Sequence, residues 1–130
     1  MYKVQLNNFE GPIDLLLYFI RRDELNIYDI PISKITKEFI TTLEEWKKVH
    51  LHIAGDFIVM ASTLMRIKAK LLLPRPELDD DGEIMDPRTE LIQQLIEYKR
   101  FKEAADLLKN LSKKRGLSFS RQLETIVSEE

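Results

Sequence analysis

The stretch from Ile53 to Leu73 limits what this chain can fold into more than any other. Its apolar residues keep helical spacing, and it stops at Pro74, because a proline pushes the residue before it out of the helical region. At roughly 100° per residue, Ile53, Phe57, Met60, Leu64, Ile67 and Leu71 form one apolar stripe. Ile58, Ala61, Met65 and Leu72 form a second, about a quarter turn away. A helix on the surface of a small bundle needs an apolar arc of only roughly 100°. Either this helix is sandwiched between elements of its own domain, or part of it is reserved for a partner helix. The few short helices elsewhere in the chain favour the second reading. Phe57, Met60, Leu64 and Met65 all have core packing as their plain alternative, and among them Met65, with Ile58, is the sharper partner surface, since methionine adapts to irregular apolar contacts.

The remaining elements follow from punctuation and period. Tyr2, Val4 and Leu6 alternate with polar residues, the period of a half-buried strand. The only other β-like stretch, Ile27 to Ile32 around Pro31, would have to pair with it, unless another molecule does. Gly11-Pro12 opens a helix expected over about 12–24, with the proline where its missing N–H costs nothing. Ile32, Ile35, Phe39, Ile40, Leu43 and Trp46 predict a second helix ending near Lys48.

Pro74 to Glu83 is acidic, broken by proline and glycine, and has almost nothing to bury, so it reads as a linker. Asp86-Pro87 then supplies a cap and a first helical residue for a long helix reaching about Lys114. Its apolar residues Leu91, Leu95, Tyr98, Ala105 and Leu108 recur every three or four positions, flanked by Ile92, Ile96, Phe101, Leu107 and Leu111. An isolated helix cannot bury such a surface alone. Gly116 suits a C-cap, and the 117–130 tail reads as a docking segment. The expected fold class is all-α, with a small N-terminal helical domain over 1–74 carrying a short strand, a flexible linker over 75–85, and a long helix with tail over 86–130.

Composition removes several function classes. The chain has 20 basic and 22 acidic residues and a net charge of −2, so no global positive field draws it to nucleic acid or anionic lipid. Cysteine is absent, which excludes disulfides and thiolate metal sites. The polar N-terminus has no export-signal pattern, and apolar runs such as Leu15–Leu17 and Leu71–Leu73 fall far short of a bilayer span. A cytoplasmic protein without membrane contact is expected.

Chemistry finds no constellation. His50 and His52 sit in an expected loop without further ligands, and read as solvated. Asp79, Asp80, Asp81 and Glu83 lack the spacing and distal glutamate of a calcium loop. The four glycines, at 11, 55, 82 and 116, form no phosphate cradle. The basic clusters Arg66/Lys68/Lys70, Lys99/Arg100/Lys102 and Lys113/Lys114/Arg115 are each diluted by acids, and read as solvated faces or partner salt bridges before phosphate contacts. No enzymatic activity, cofactor, metal or small-molecule substrate is expected.

Four ordered strings, FEGPIDLLL at 9–17, NIYDIPI at 26–32, FIVMASTLMRIKAKLLLP at 57–74 and DPRTELIQQLIEYKRFKEAA at 86–105, make the chain resemble the bacterial kleisins, specifically the segregation and condensation protein A family. The resemblance covers essentially the whole chain. It implies a subunit of a condensin-like complex that bridges an SMC ATPase, with a role in chromosome condensation and segregation at the nucleoid and contact with DNA only through the complex. It further implies that Phe57, Ile58, Met60, Ala61, Leu64, Met65, Lys68 and Leu72 face the coiled-coil neck next to an SMC head. The region after the linker would be wrapped by a dimer of segregation and condensation protein B (ScpB), contacted through Leu91, Leu95, Tyr98, Phe101, Ala105 and Leu108. Family members continue into a C-terminal winged-helix domain that is not found before Glu130, so the chain is read as a fragment. The rival expectations are a direct DNA-binding module and a helical module that homodimerises.

Overall fold

A computed structural model describes residues 9–49 and 52–115. It is all-α, with α1 Pro12–Arg22, α2 Ile32–Lys48, α3 Gly55–Leu71 and α4 Thr89–Lys114. The strand expected over residues 2–6 lies outside the described residues. By contact, the chain divides into a first compact unit, 1–96, and a second, 97–130.

In the first unit α1 is the central helix: Leu15, Leu16, Leu17, Phe19 and Ile20 are all buried. Pro12 occupies its first turn. Its C-terminus closes through a Schellman-type turn, in which the Leu25 N–H donates to the Ile20 carbonyl at 2.9 Å while Glu24 takes a left-handed φ of 52°. α2 buries Ile32, Ile35, Phe39, Leu43 and Trp46. α3 buries Phe57, Met60, Leu64 and Ile67, so one of its two sequence stripes is core. The three helices meet in an aromatic cluster. Trp46 stands edge-on to Phe57 at 5.6 Å, Phe39 stacks on Phe57 at 6.3 Å, and Phe9 reaches both Tyr18 and Trp46. Such pairs add about 0.5–1.5 kcal/mol each beyond the area they bury.

The β-like reading of Ile27 to Ile32 is corrected by the structure. The segment is a turn running into α2: the Asn26 side chain accepts from the Tyr28 N–H at 2.9 Å, and the Asn26 carbonyl accepts from the Asp29 N–H at 3.1 Å. Asparagine builds this turn from its own side chain, so the isoleucines can bury without a strand partner. Ile27, Ile30 and Ile32 are all buried there.

Residues 75–85, expected to be a flexible linker, are exposed and form a local hairpin-like turn. Leu78 bridges Ile84, Asp79 and Glu83 share a backbone hydrogen bond of 2.9 Å, and the Asp79 carboxylate accepts from the Asp81 and Glu83 N–H groups. Gly82 supplies the positive φ of 78° that this turn needs. The boundary between compact units falls after Ile96, inside α4, rather than in this acidic stretch. The physical reason is that Leu91 and Leu95, early in α4, are buried at 3% and 0% exposure.

Candidate helix-docking interface

α3 is amphipathic twice over. With Phe57, Met60, Leu64 and Ile67 committed to the core, an adjacent face still carries Ile58, Met65 and, at the C-cap, Leu72 at 56%, 54% and 71% exposure. These three are seven residues apart, and the small residues Ala61, Ser62 and Ala69 lie between them on the same face. A seven-residue apolar repeat is the pattern by which one helix packs along another, knobs into holes. Ala61 and Lys68 are half-buried at the edge of this seam.

The seam borders a groove of about 610 Å³ between α2 and α3. Ile40, Leu43, Glu44 and Lys47 form its α2 wall, Ile58, Ala61, Ser62 and Met65 its α3 wall, and His52 and Ile53 close one end. The lining is mostly apolar, with Glu44 and Lys47 contributed by α2. A mostly apolar groove suits the apolar stripe of an incoming helix. Ile40 and Leu43 went unassigned as site residues in the sequence, where the one available signal was Ile40 standing beside the main α2 stripe.

Of the sequence-predicted neck residues, Ile58, Met65 and Leu72 thus stand exposed, Ala61 and Lys68 half-exposed, and Phe57, Met60 and Leu64 inside the chain's own core. On α4, the predicted residues divide as well. Leu91 and Leu95 are buried within the first unit. In the second unit Tyr98 is half-buried and its ring lies 6.3 Å from that of Phe101, while Phe101 and Leu108 are 65% and 67% exposed. Ala105, Leu107 and Leu111 are exposed with them.

Arg22 pairs with Asp23 and Glu38 and lies over the Phe19 and Tyr18 rings, tying the end of α1 to α2. Its hydrogen bond holds the Asp23 carboxyl below the ordinary range, and Lys34 adds to this. Arg88 forks onto Asp86, holding that carboxyl below the ordinary range too. The Asp86 side chain also accepts from the Arg88 N–H at 2.9 Å, in a turn just ahead of α4, whose first residue is Thr89 rather than the expected Pro87. Lys70 pairs with Glu77 and Lys99 with Glu103, which occupies part of the predicted basic clusters. Among the described residues there is no group of three or more His, Asp or Glu able to hold a metal, and no helix long and apolar enough to cross a membrane.

The family model described as "Segregation and condensation protein ScpA" matches residues 19–128. The chain is 42% identical to segregation and condensation protein A of Brevibacillus brevis, over 96% of this chain and 52% of that protein. It is 48% identical to the Clostridium acetobutylicum protein of the same name, over 95% of this chain and 50% of that one. Against the Bacillus subtilis protein the identity is 44%, over 92% and 49%. It spans about half the length of these curated relatives. The chain belongs to the segregation and condensation protein A family.

Proposed function

We propose that this chain is the bridging, kleisin part of a bacterial SMC condensin-like complex in chromosome condensation and segregation. It binds and does not catalyse. The α3 seam and the α2–α3 groove take a helix of the SMC neck, and the exposed face of α4 from Tyr98 onward takes the ScpB dimer. The site of action is the cytoplasm at the nucleoid, with DNA reached through the complex.

The observation that carries this reading is the second face of α3. Ile58, Met65 and Leu72 repeat at seven residues on a helix whose neighbouring face is already in the core. A water-exposed apolar repeat of this kind is unfavourable to leave bare and matches a partner helix. Membership in a family named for segregation and condensation supplies the partner class. The neck contact is accordingly narrowed to Ile58, Ala61, Met65, Lys68 and Leu72 with Ile40 and Leu43, while Phe57, Met60 and Leu64 support it from beneath. Calorimetric titration against an SMC head bearing a neck stub tests it: the wild type binds, and Met65→Glu loses roughly 100-fold or more in affinity, since a buried unpaired charge costs several kcal/mol. Absence of wild-type binding, with self-association or salt-sensitive binding to bare duplex DNA instead, would contradict the reading.

A further inference from the structure

The start of α4 is held by contacts that no docking role explains. The Arg88 side chain is only 20% exposed, and each of its three guanidinium nitrogens donates a hydrogen bond. Nε and one terminal nitrogen donate to the two Asp86 carboxylate oxygens at 3.1 and 3.0 Å. The other terminal nitrogen donates to Asp29 Oδ1 at 2.8 Å and to the Ile30 carbonyl at 2.9 Å. Asp29 and Ile30 belong to the turn between α1 and α2, nearly sixty residues away in sequence, so one arginine staples the beginning of α4 to that turn. Only a planar fork with several donors can satisfy a bidentate carboxylate, a second carboxylate and a carbonyl together.

What this staple secures is equally specific. Leu91 and Leu95, in the two turns after it, are buried in the first unit. By spacing they share one face of α4 with Tyr98 and Ala105, which lie beyond Ile96. Meanwhile the close helix pairings of the unit are α1 with α2, α1 with α3 and α2 with α3, so α4 is not among them. An element outside the main helix pairings, anchored by Leu91 and Leu95 with Ile92 and Ile96 half-buried beside them and by the Arg88 staple, is the kind that opens locally while the rest stays folded.

We infer that Asp86, Arg88 and Asp29 form a latch on α4. Closed, it keeps the first two turns in the N-terminal core with Leu91 and Leu95 buried. Open, it releases both leucines to extend the apolar face that continues through Tyr98 and Ala105. The same two side chains cannot serve core and partner at once, so the latch sets how much of α4 a partner can use. This inference does not depend on what that partner is.

Amide hydrogen exchange on the whole chain tests it, comparing wild type with Arg88→Ala, Asp29→Ala, the double variant and Arg88→Lys. Expected is a rise of roughly tenfold or more in exchange at residues 91–96 in Arg88→Ala, with α1 amides unchanged, because charge-assisted bonds outweigh neutral ones. The Asp29→Ala effect should shrink when Arg88 is already absent. Arg88→Lys, which keeps the charge but loses the fork, should fall between wild type and alanine. Unchanged exchange at 91–96 in Arg88→Ala, or strictly additive effects of the two alanines, would overturn the latch. So would loss of protection throughout α1 in both Arg88 variants, which would make this segment inseparable core.

Discussion

Phe57 and Met65 stand eight residues apart on α3 and answer to different masters. Phe57 is 4% exposed between Phe39 and Trp46, whereas Met65 is 54% exposed beside the α2–α3 groove. Truncation should separate them: Phe57→Ala costs about 3–5 kcal/mol of stability in urea unfolding, from lost burial and a residual cavity. Met65→Ala changes stability by less than about 0.5 kcal/mol. Equal losses would mean that the exposed seam is a second core face. Thr36 gives a test of opposite sign. Among the described residues its buried hydroxyl has no hydrogen-bond partner, so Thr36→Val should leave stability unchanged or raise it by about 1 kcal/mol in the same assay. A loss greater than about 1 kcal/mol would mean the hydroxyl does have a partner.

At the scale of elements, the Asp86–Arg88 pair makes stability depend on pH in a definite direction. The Asp86 carboxyl is held below its ordinary value of 3.8, chiefly by the Arg88 hydrogen bond. A group whose folded value is depressed stabilises fully above its ordinary value and loses that contribution as pH falls below it. The difference in urea midpoint between wild type and Arg88→Ala should therefore be full near about pH 6 and shrink near about pH 3. A difference independent of pH would show that Arg88 acts by packing rather than charge.

Much at this scale was legible beforehand. Pro12, Pro74 and the apolar periods located α1, α2 and α3 within a few residues, because proline and burial act locally. The turn over Ile27 to Ile32 was not, since buried isoleucines around a proline look like a strand until the Asn26 side chain is seen to close the turn. Nor was the division of the α4 stripe. Periodicity reports that Leu91, Leu95, Tyr98 and Leu108 need cover; it is silent on whether their own chain or a partner provides it. The groove wall of Ile40 and Leu43 was hidden for a related reason, because it depends on how α2 and α3 are rotated against each other.

At the scale of the molecule, one face of α3 enters the core and an adjacent face stays exposed, and it is this exposed face that the proposed function gives to a partner. The over-wide apolar arc of the Ile53–Leu73 sequence is resolved by this division, with Phe57, Met60, Leu64 and Ile67 inward and Ile58, Met65 and Leu72 outward. The most direct test is titration of the chain into an SMC head carrying its neck stub, with wild type, Met65→Glu and Ile58→Glu compared at matched helical content. The account predicts saturable wild-type binding that both charged variants lose by roughly 100-fold or more while staying folded. Wild-type binding that survives both substitutions would show that the outward face of α3 is not the neck-binding surface.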